Sequence, residues 1–179
     1  MVNRMDTLAK YKGMTLLEVL ISVVILAVGM LGIASMLIVS NKANNSSYAK
    51  LQAVQAVYDI FDRIRANSEA ASNGSYNISN IGSNGYPTTV NTPSVLCNAS
   101  VCNPSQLAQY DTWYWLTRVV SQLPNGSGSI TSALSGVAGN TVITVTVQWD
   151  DSKAQNDLGA SSASSGTANF VQFRVQSQI

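Results

Sequence analysis

From Val19 to Val39 the chain runs for 21 residues without a charged side chain. That stretch restricts the fold more than any other feature, because about 20 apolar residues in a helix suffice to cross the hydrocarbon core of a bilayer. Arg4, Lys10 and Lys12 precede it, set against Asp6 in the opening segment MVNRMDTLAKYKG. Positive charge ahead of an apolar span keeps the N-terminus cytoplasmic and sends the remainder across. A secretory signal peptide is the plainer reading, and Gly32-Ile33-Ala34 loosely fits a small-x-small cleavage site. Two features oppose it. The run is longer than the roughly 7–15 apolar residues of a signal sequence. Glu18 also sits at its start, and a carboxylate within a membrane helix costs about 2.5–3.5 kcal/mol at the centre, which marks it as functional by default.

The residues around this glutamate are specific. Lys12-Gly13-Met14-Thr15-Leu16-Leu17-Glu18-Val19 resembles the prepilin cleavage motif of type IV pilins and type II secretion pseudopilins. The resemblance implies cleavage after Gly13 by a membrane aspartyl prepilin peptidase and methylation of the new N-terminus at Met14. Family members usually carry Phe at that position; Met14 keeps a large apolar side chain there. Glu18 matches the family's glutamate and lies four residues beyond Met14, one helical turn away, where the helix dipole favours a negative charge. In a filament, staggered neighbours would let Glu18 of one subunit meet the Met14 amine of the next and so set the register.

Composition narrows the remainder. The net charge is +1, from ten Lys and Arg against nine Asp and Glu, which gives no basic surface for nucleic acid. The chain contains no His. It therefore lacks the commonest general base and metal ligand, and any Ser-His or Cys-His nucleophile pair. We expect no catalytic residues, no metal and no cofactor. Asp150-Asp151 reads as a solvated turn at a strand end. Cys97 and Cys102 lack the further ligands that a zinc site needs. They are either unpaired thiols or, after export, a local disulfide, which is the reading we favour.

Beyond Val39 there is no proline until Pro87. Leu51, Val54, Tyr58, Phe61 and Ile64 recur at spacings of three and four, with Val57 widening the stripe, which marks an amphipathic helix. Asp59 and Asp62 fall near Arg63 and Arg65 and suggest modest surface pairing. One helix from about Thr15 to Ser68 is the simplest reading, roughly 80 Å long at 1.5 Å per residue. Gly29 and Gly32 weaken it locally by about 1 kcal/mol each and permit bending or the close approach of a second helix.

Residues 68–103 are rich in Asn, Ser and Gly and read as irregular, with room for one short strand. Asn103-Pro104 is a helix start, an N-cap followed by proline at the first helical position. Leu107, Tyr110, Trp113, Leu116, Val120 and Leu123 then trace one face, and Pro124-Asn125-Gly126 stops it. Trp113, Tyr114 and Trp115 read as core in preference to a carbohydrate platform. In Thr141–Trp149, Ile143, Val145, Val147 and Trp149 alternate with Val142, Thr144, Thr146 and Gln148, a half-buried strand. Phe170–Gln176 alternates likewise, a polar loop spans Asp150 to Gly166, and Gly128–Val137 has room for a further strand. The predicted fold is α+β: a long N-terminal helix on a small antiparallel sheet.

The segment LLEVLISVVILAVGMLG, the Cys97–Cys102 pair followed by PSQLAQYDTWYWL, and VTVQWDD resemble PilV-type minor pilins. The long disulfide-closed C-terminal loop of major pilins is missing, which favours a minor subunit. The resemblance implies residues 1–13 as leader, 14–39 as membrane and filament-core helix, 40–68 as its amphipathic continuation and 69–179 as a periplasmic domain. It implies a single pass through the inner membrane and then incorporation into a filament. The implied partners are the prepilin peptidase, other minor and major pilins through the N-terminal helix, and a tip adhesin. A minor pseudopilin of a type II secretion system shares the same leader. A membrane-tethered binding module using Trp113 or Trp115 is a third reading, and it leaves Glu18 and Gly13 unexplained.

Overall fold

The computed structural model describes residues 13–134, 140–152 and 168–179. The leader up to Lys12, most of the loop expected from Asp150 to Gly166, and the last part of the expected Gly128–Val137 strand lie outside the described residues. The chain divides into two compact units, residues 1–40 and 41–179. Helix α1 (Leu16–Ala66) contributes to both. In the first unit every described residue from Gly13 to Ser40 is exposed. This part of α1 is long and apolar enough to cross a membrane.

The second unit is built on an antiparallel sheet in the order β1-β2-β3-β4: β1 (Ile78–Ser79), β2 (Ser127–Leu134), β3 (Thr141–Asp150) and β4 (Phe170–Gln178). Ile130 stands opposite Val145, and Val145 opposite Val175. The alternation read in the sequence holds. Ile143, Val145, Val147 and Trp149 face the core together with Ile130, and Val171, Phe173 and Val175 pack against them half-buried. On the opposite face Thr146 and Gln148 are buried as well, and Gln148 donates to the Gly85 carbonyl at 2.8 Å. Gly85 has φ +84° and lies so close to Phe170 that an added Cβ would come within 2.6 Å of the ring. Only glycine meets both requirements at low cost.

Helix α1 packs on this sheet with Val57, Phe61 and Ile64 inward as expected, while Leu51, Val54 and Tyr58 of the expected stripe are not buried. Its buried residues are Ala49, Ala53, Ala56, Val57, Ile60, Phe61 and Ile64. Leu51 and Tyr58 are 54% and 64% exposed, and Val54 is half-buried. Alanines take the inward positions because they allow other elements to approach the helix backbone. Trp115 Nε1 reaches the Ala56 carbonyl at 2.8 Å. The larger apolar residues suggested a stripe that close packing rotates by about one position.

Between α1 and β2 lie α2 (Ser68–Ser72), β1 and α3 (Pro104–Tyr114). Helix α3 starts as expected. Asn103 accepts from the Gln106 amide at 2.8 Å, and the Gln106 side chain accepts from the Asn103 amide at 3.0 Å, a reciprocal capping box. Its core face follows the prediction at Leu116, Val120 and Leu123 and departs from it ahead of them. Ala108, Asp111, Thr112, Trp115, Leu116, Val120 and Leu123 are buried, while Leu107, Tyr110 and Trp113 are half-buried. The cause is a π turn over Trp115–Val119, in which the Val120 amide bonds to the Trp115 carbonyl five residues back. Wider winding shifts the phase of the helix and puts Trp115 and Val120 on one side. The close approach extends to β2, where a Cβ on Gly128 would fall 2.7 Å from the Trp115 ring.

Candidate functional site

Met14 and Gly13 precede α1, and Thr15 is its N-cap. The Glu18 amide donates to Thr15 Oγ1 at 3.3 Å and to the Thr15 carbonyl at 3.0 Å. Ser22 Oγ donates to the Glu18 carbonyl at 2.7 Å. Thr15-x-x-Glu18 has the form of a capping box, a local signal of where α1 begins. It places the exposed Glu18 side chain in the first turn, where unsatisfied amides favour an anion. One expectation changes. Met14 lies before the N-cap, so it does not share a helical turn with Glu18 in this chain. An added Cβ at Gly13 meets nothing within 4 Å.

Cys97 and Cys102 are joined in a disulfide, with Cα atoms 5.6 Å apart. Cys102 directly precedes the Asn103 cap, so the bond ties the preceding loop to the start of α3. The aromatic cluster divides. Trp115 is fully buried, whereas Tyr110, Trp113 and Tyr114 are half-buried and line a cleft of about 150 Å³ with Leu96, Asn98 and Arg118. The core assignment therefore holds for Trp115 and fails for Trp113 and Tyr114.

Sequence pairing also understated Arg63. It bonds Asp59 from Nε at 3.0 Å and Nη2 at 3.4 Å, and Asp111 on α3 from Nη1 at 3.1 Å. Its guanidinium stacks 4.9 Å from the Tyr114 ring centroid. Asp111 also accepts from the Tyr76 hydroxyl at 2.9 Å, and Asn67 donates to that hydroxyl at 3.2 Å and to the Pro104 carbonyl at 2.8 Å. Burial opposes the Arg63 charge, but Asp59 and Asp111 outweigh it and hold its pKa above the usual value. Burial pushes the Tyr76 phenol well up. The network fastens α1 to α3. By contrast, Arg65 and Asp62 form only an exposed pair, of small energetic weight.

Asp150-Asp151 departs from the solvated turn expected. Asp151 is buried and accepts from Ser46 Oγ at 2.9 Å. Asp150 Oδ1 accepts from the amides of both Ser152 and Asn169, at 3.0 and 3.2 Å, and Oδ2 accepts from Asn125 at 3.2 Å. Burial would raise its pKa, but these hydrogen bonds lower it below the ordinary 3.8. Among the described residues no group of three or more Cys, Asp or Glu could hold a metal ion.

Residues 8–34 match the family described as prokaryotic N-terminal methylation motif, and residues 35–113 match the Tt1218-like family, type IV pilin Tt1218. No curated protein and no solved structure matches this chain. Through these two adjoining matches residues 8–113 are similar to type IV pilin-like subunits. The first match includes the Gly13-Met14 junction and Glu18. The second takes in the later part of α1, the disulfide loop and most of α3.

Proposed function

We propose that this chain is a minor pilin of a type IV pilus, of PilV type, with a structural and not an enzymatic role. Prepilin peptidase removes residues 1–13, Met14 is methylated, and α1 holds the subunit in the inner membrane with residues 69–179 in the periplasm. The subunit then enters or primes the filament, bundled through α1 with major and other minor pilins and, at a tip, an adhesin. The observation that carries this reading is the N-terminal junction. Gly13 stands directly before Met14 and the Thr15 cap, Glu18 lies in the first turn, and an apolar helical stretch follows that is exposed among the described residues.

Assembly through such a helix explains the glutamate. A carboxylate in an apolar bundle is costly unless paired, and the free amine of a neighbour's Met14 is the nearest complementary charge that cleavage creates. The deciding experiment recovers sheared surface fibres from wild-type and deletion strains. The expected result is a fibre-borne protein beginning at methylated Met14, the 166 residues that remain of 179 once 13 are removed, with fewer fibres in the deletion. An N-terminus near Ser35 would point to ordinary signal peptidase and end the pilin reading. Loss of secretion with unchanged fibres would assign the chain to a type II secretion pseudopilus.

A further inference from the structure

The two edges of the sheet are finished differently. At one edge β1 is two residues long, and the loop after it folds back: Asn80 N bonds the Gly128 carbonyl at 3.0 Å, Gly128 N bonds Asn80 Oδ1 at 2.7 Å, and Thr88 N bonds the Asn80 carbonyl at 2.7 Å. At the other edge β4 runs nine residues in unbroken register against β3. Edge strands are normally protected by brevity, proline, bulges or several charges. This one has no proline, no bulge and one charge, Arg174.

The direction of its main-chain groups follows from the ends of the ladder. Thr141 and Ile179 exchange both amide–carbonyl bonds, and Asp151 N bonds the Asn169 carbonyl. The hydrogen-bonded positions of β4 are thus 171, 173, 175, 177 and 179. In an antiparallel pair the alternate residues point their N–H and C=O away, so those of Phe170, Gln172, Arg174, Gln176 and Gln178 face the free edge. The side chains able to fold over that edge are held elsewhere. Gln172 bonds Gln148, Arg174 bonds Thr146 Oγ1 at 3.2 Å, and Gln176 bonds Thr144 Oγ1 at 3.1 Å, each reaching back to β3. Among the described residues no strand pairs with this edge. On the core side Val171, Phe173 and Val175 are only half-covered.

We propose that the free edge of β4 takes up an extended strand from a different pilin-type subunit, so that one sheet continues across the subunit boundary. Main-chain bonding supplies affinity in this mode, and alternate side chains supply specificity. The incoming strand carries apolar residues on the side of Val171, Phe173 and Val175, and polar ones beside Gln172 and Gln176. It places an acid near Arg174, whose Nε alone is bonded to Thr146. A second copy of this chain does not fit, and this step rests on the pilin reading. Antiparallel self-pairing uses a two-fold axis normal to the sheet, which makes the part of α1 lying on it run oppositely in the two copies. Parallel self-pairing puts those parts of α1 on opposite faces of one sheet, separated by it.

The test uses the full-length protein in pilus-forming cells. A benzophenone side chain installed at Gln178 is photoactivated, and the adduct is mapped by mass spectrometry. The expected partner is a strand of a different pilin-type chain. Gln176→Pro should cut that adduct about tenfold, because it removes an outward donor and blocks pairing while keeping every main-chain bond to β3; of the bonds to β3 it gives up only the side-chain one to Thr144. Its fold is checked by retained protease resistance and the intact Cys97–Cys102 bond. Val175→Pro, which breaks an internal ladder bond, should lose both. An adduct with a second copy, with this chain's own residues or with a protein outside the pilin class overturns the proposal, and so does no adduct. In detergent-held full-length protein the Arg174 and Gln176 amides should exchange freely; protection there would mean that the chain covers its own edge. Cleavage at Met14 is scored in parallel. If cleavage fails, the pilin reading falls; if cleavage holds without the adduct, only the edge assignment falls.

Discussion

The indole Nε1–H of Trp115 donates a 2.8 Å hydrogen bond to the main-chain carbonyl of Ala56, in the later part of α1. A side chain can bond a helix carbonyl in this way only where the helix surface is low, and Ala53 and Ala56 make it so. The same indole lies over Gly128 of β2, so one residue joins helix, π turn and sheet.

Trp115→Phe should destabilise the domain by about 2–3 kcal/mol, from lost volume and one lost hydrogen bond. Gly128→Ala should cost about 1–3 kcal/mol by overpacking, since its Cβ would meet Trp115 Cη2 and Cζ3 at 2.7 and 2.9 Å. Phe lacks those atoms. The double variant should therefore lose less than the sum, a coupling readable from denaturant midpoints of the full chain in detergent.

Asp150 gives an acid dependence. Its folded pKa lies below the ordinary 3.8, so its contribution is fully present above that value and is lost as pH falls through the lower folded value. Protection of the Ser152 and Asn169 amides from hydrogen exchange should weaken in that acid range and hold steady above it. Asp150→Asn should abolish the dependence. Asp150→Ala should cost about 1–2 kcal/mol and loosen both amides at any pH.

Replacing Cys97 and Cys102 together by Ser should cost about 2 kcal/mol in the chain-entropy model, modest because the closed loop is short. The native protein, alkylated without reduction, should show no modified thiol. Two alkylated cysteines would mean that the bond does not form in the exported protein.

Glu18→Ala should leave a processed, membrane-held protein that enters fibres poorly. Its insertion should if anything be easier, since a charge leaves the bilayer. Thr15→Ala removes only the cap, at about 1 kcal/mol, and should fray the helix start with milder loss of incorporation. Gels report cleavage and sheared fibres report incorporation. Normal incorporation of Glu18→Ala would show that the carboxylate does not set the register. Gly13→Val should stop cleavage, and because nothing among the described residues crowds position 13, the block would belong to the peptidase.

What could be read from the sequence was local. The apolar run, the Asn103-Pro104 start of α3 and the period-two pattern of β3 and β4 are each written in one continuous stretch of sequence and survive in the structure. What escaped depends on distant partners. The inward face of α1 is set by how closely Trp115 approaches Ala56, 59 residues away, and a hydrophobic stripe weighted by large side chains pointed to Leu51 and Tyr58 instead. The phase of α3 moved because a π turn inserts what amounts to one residue. Arg63 looked like a surface cation because Asp59 was visible beside it and Asp111, 48 residues on, was not. Asp150 and Asp151 looked solvated because nothing nearby in sequence names Ser46 or Asn169 as a partner.

The shared acceptor at Asp150 has a consequence for how the domain can change. With the amides of Ser152 and Asn169 gathered on one oxygen, the end of β3 and the approach to β4 share a single clasp. Any change to that carboxylate acts on both strand ends at once, so Asp150 sets a common point of failure for the outer half of the sheet.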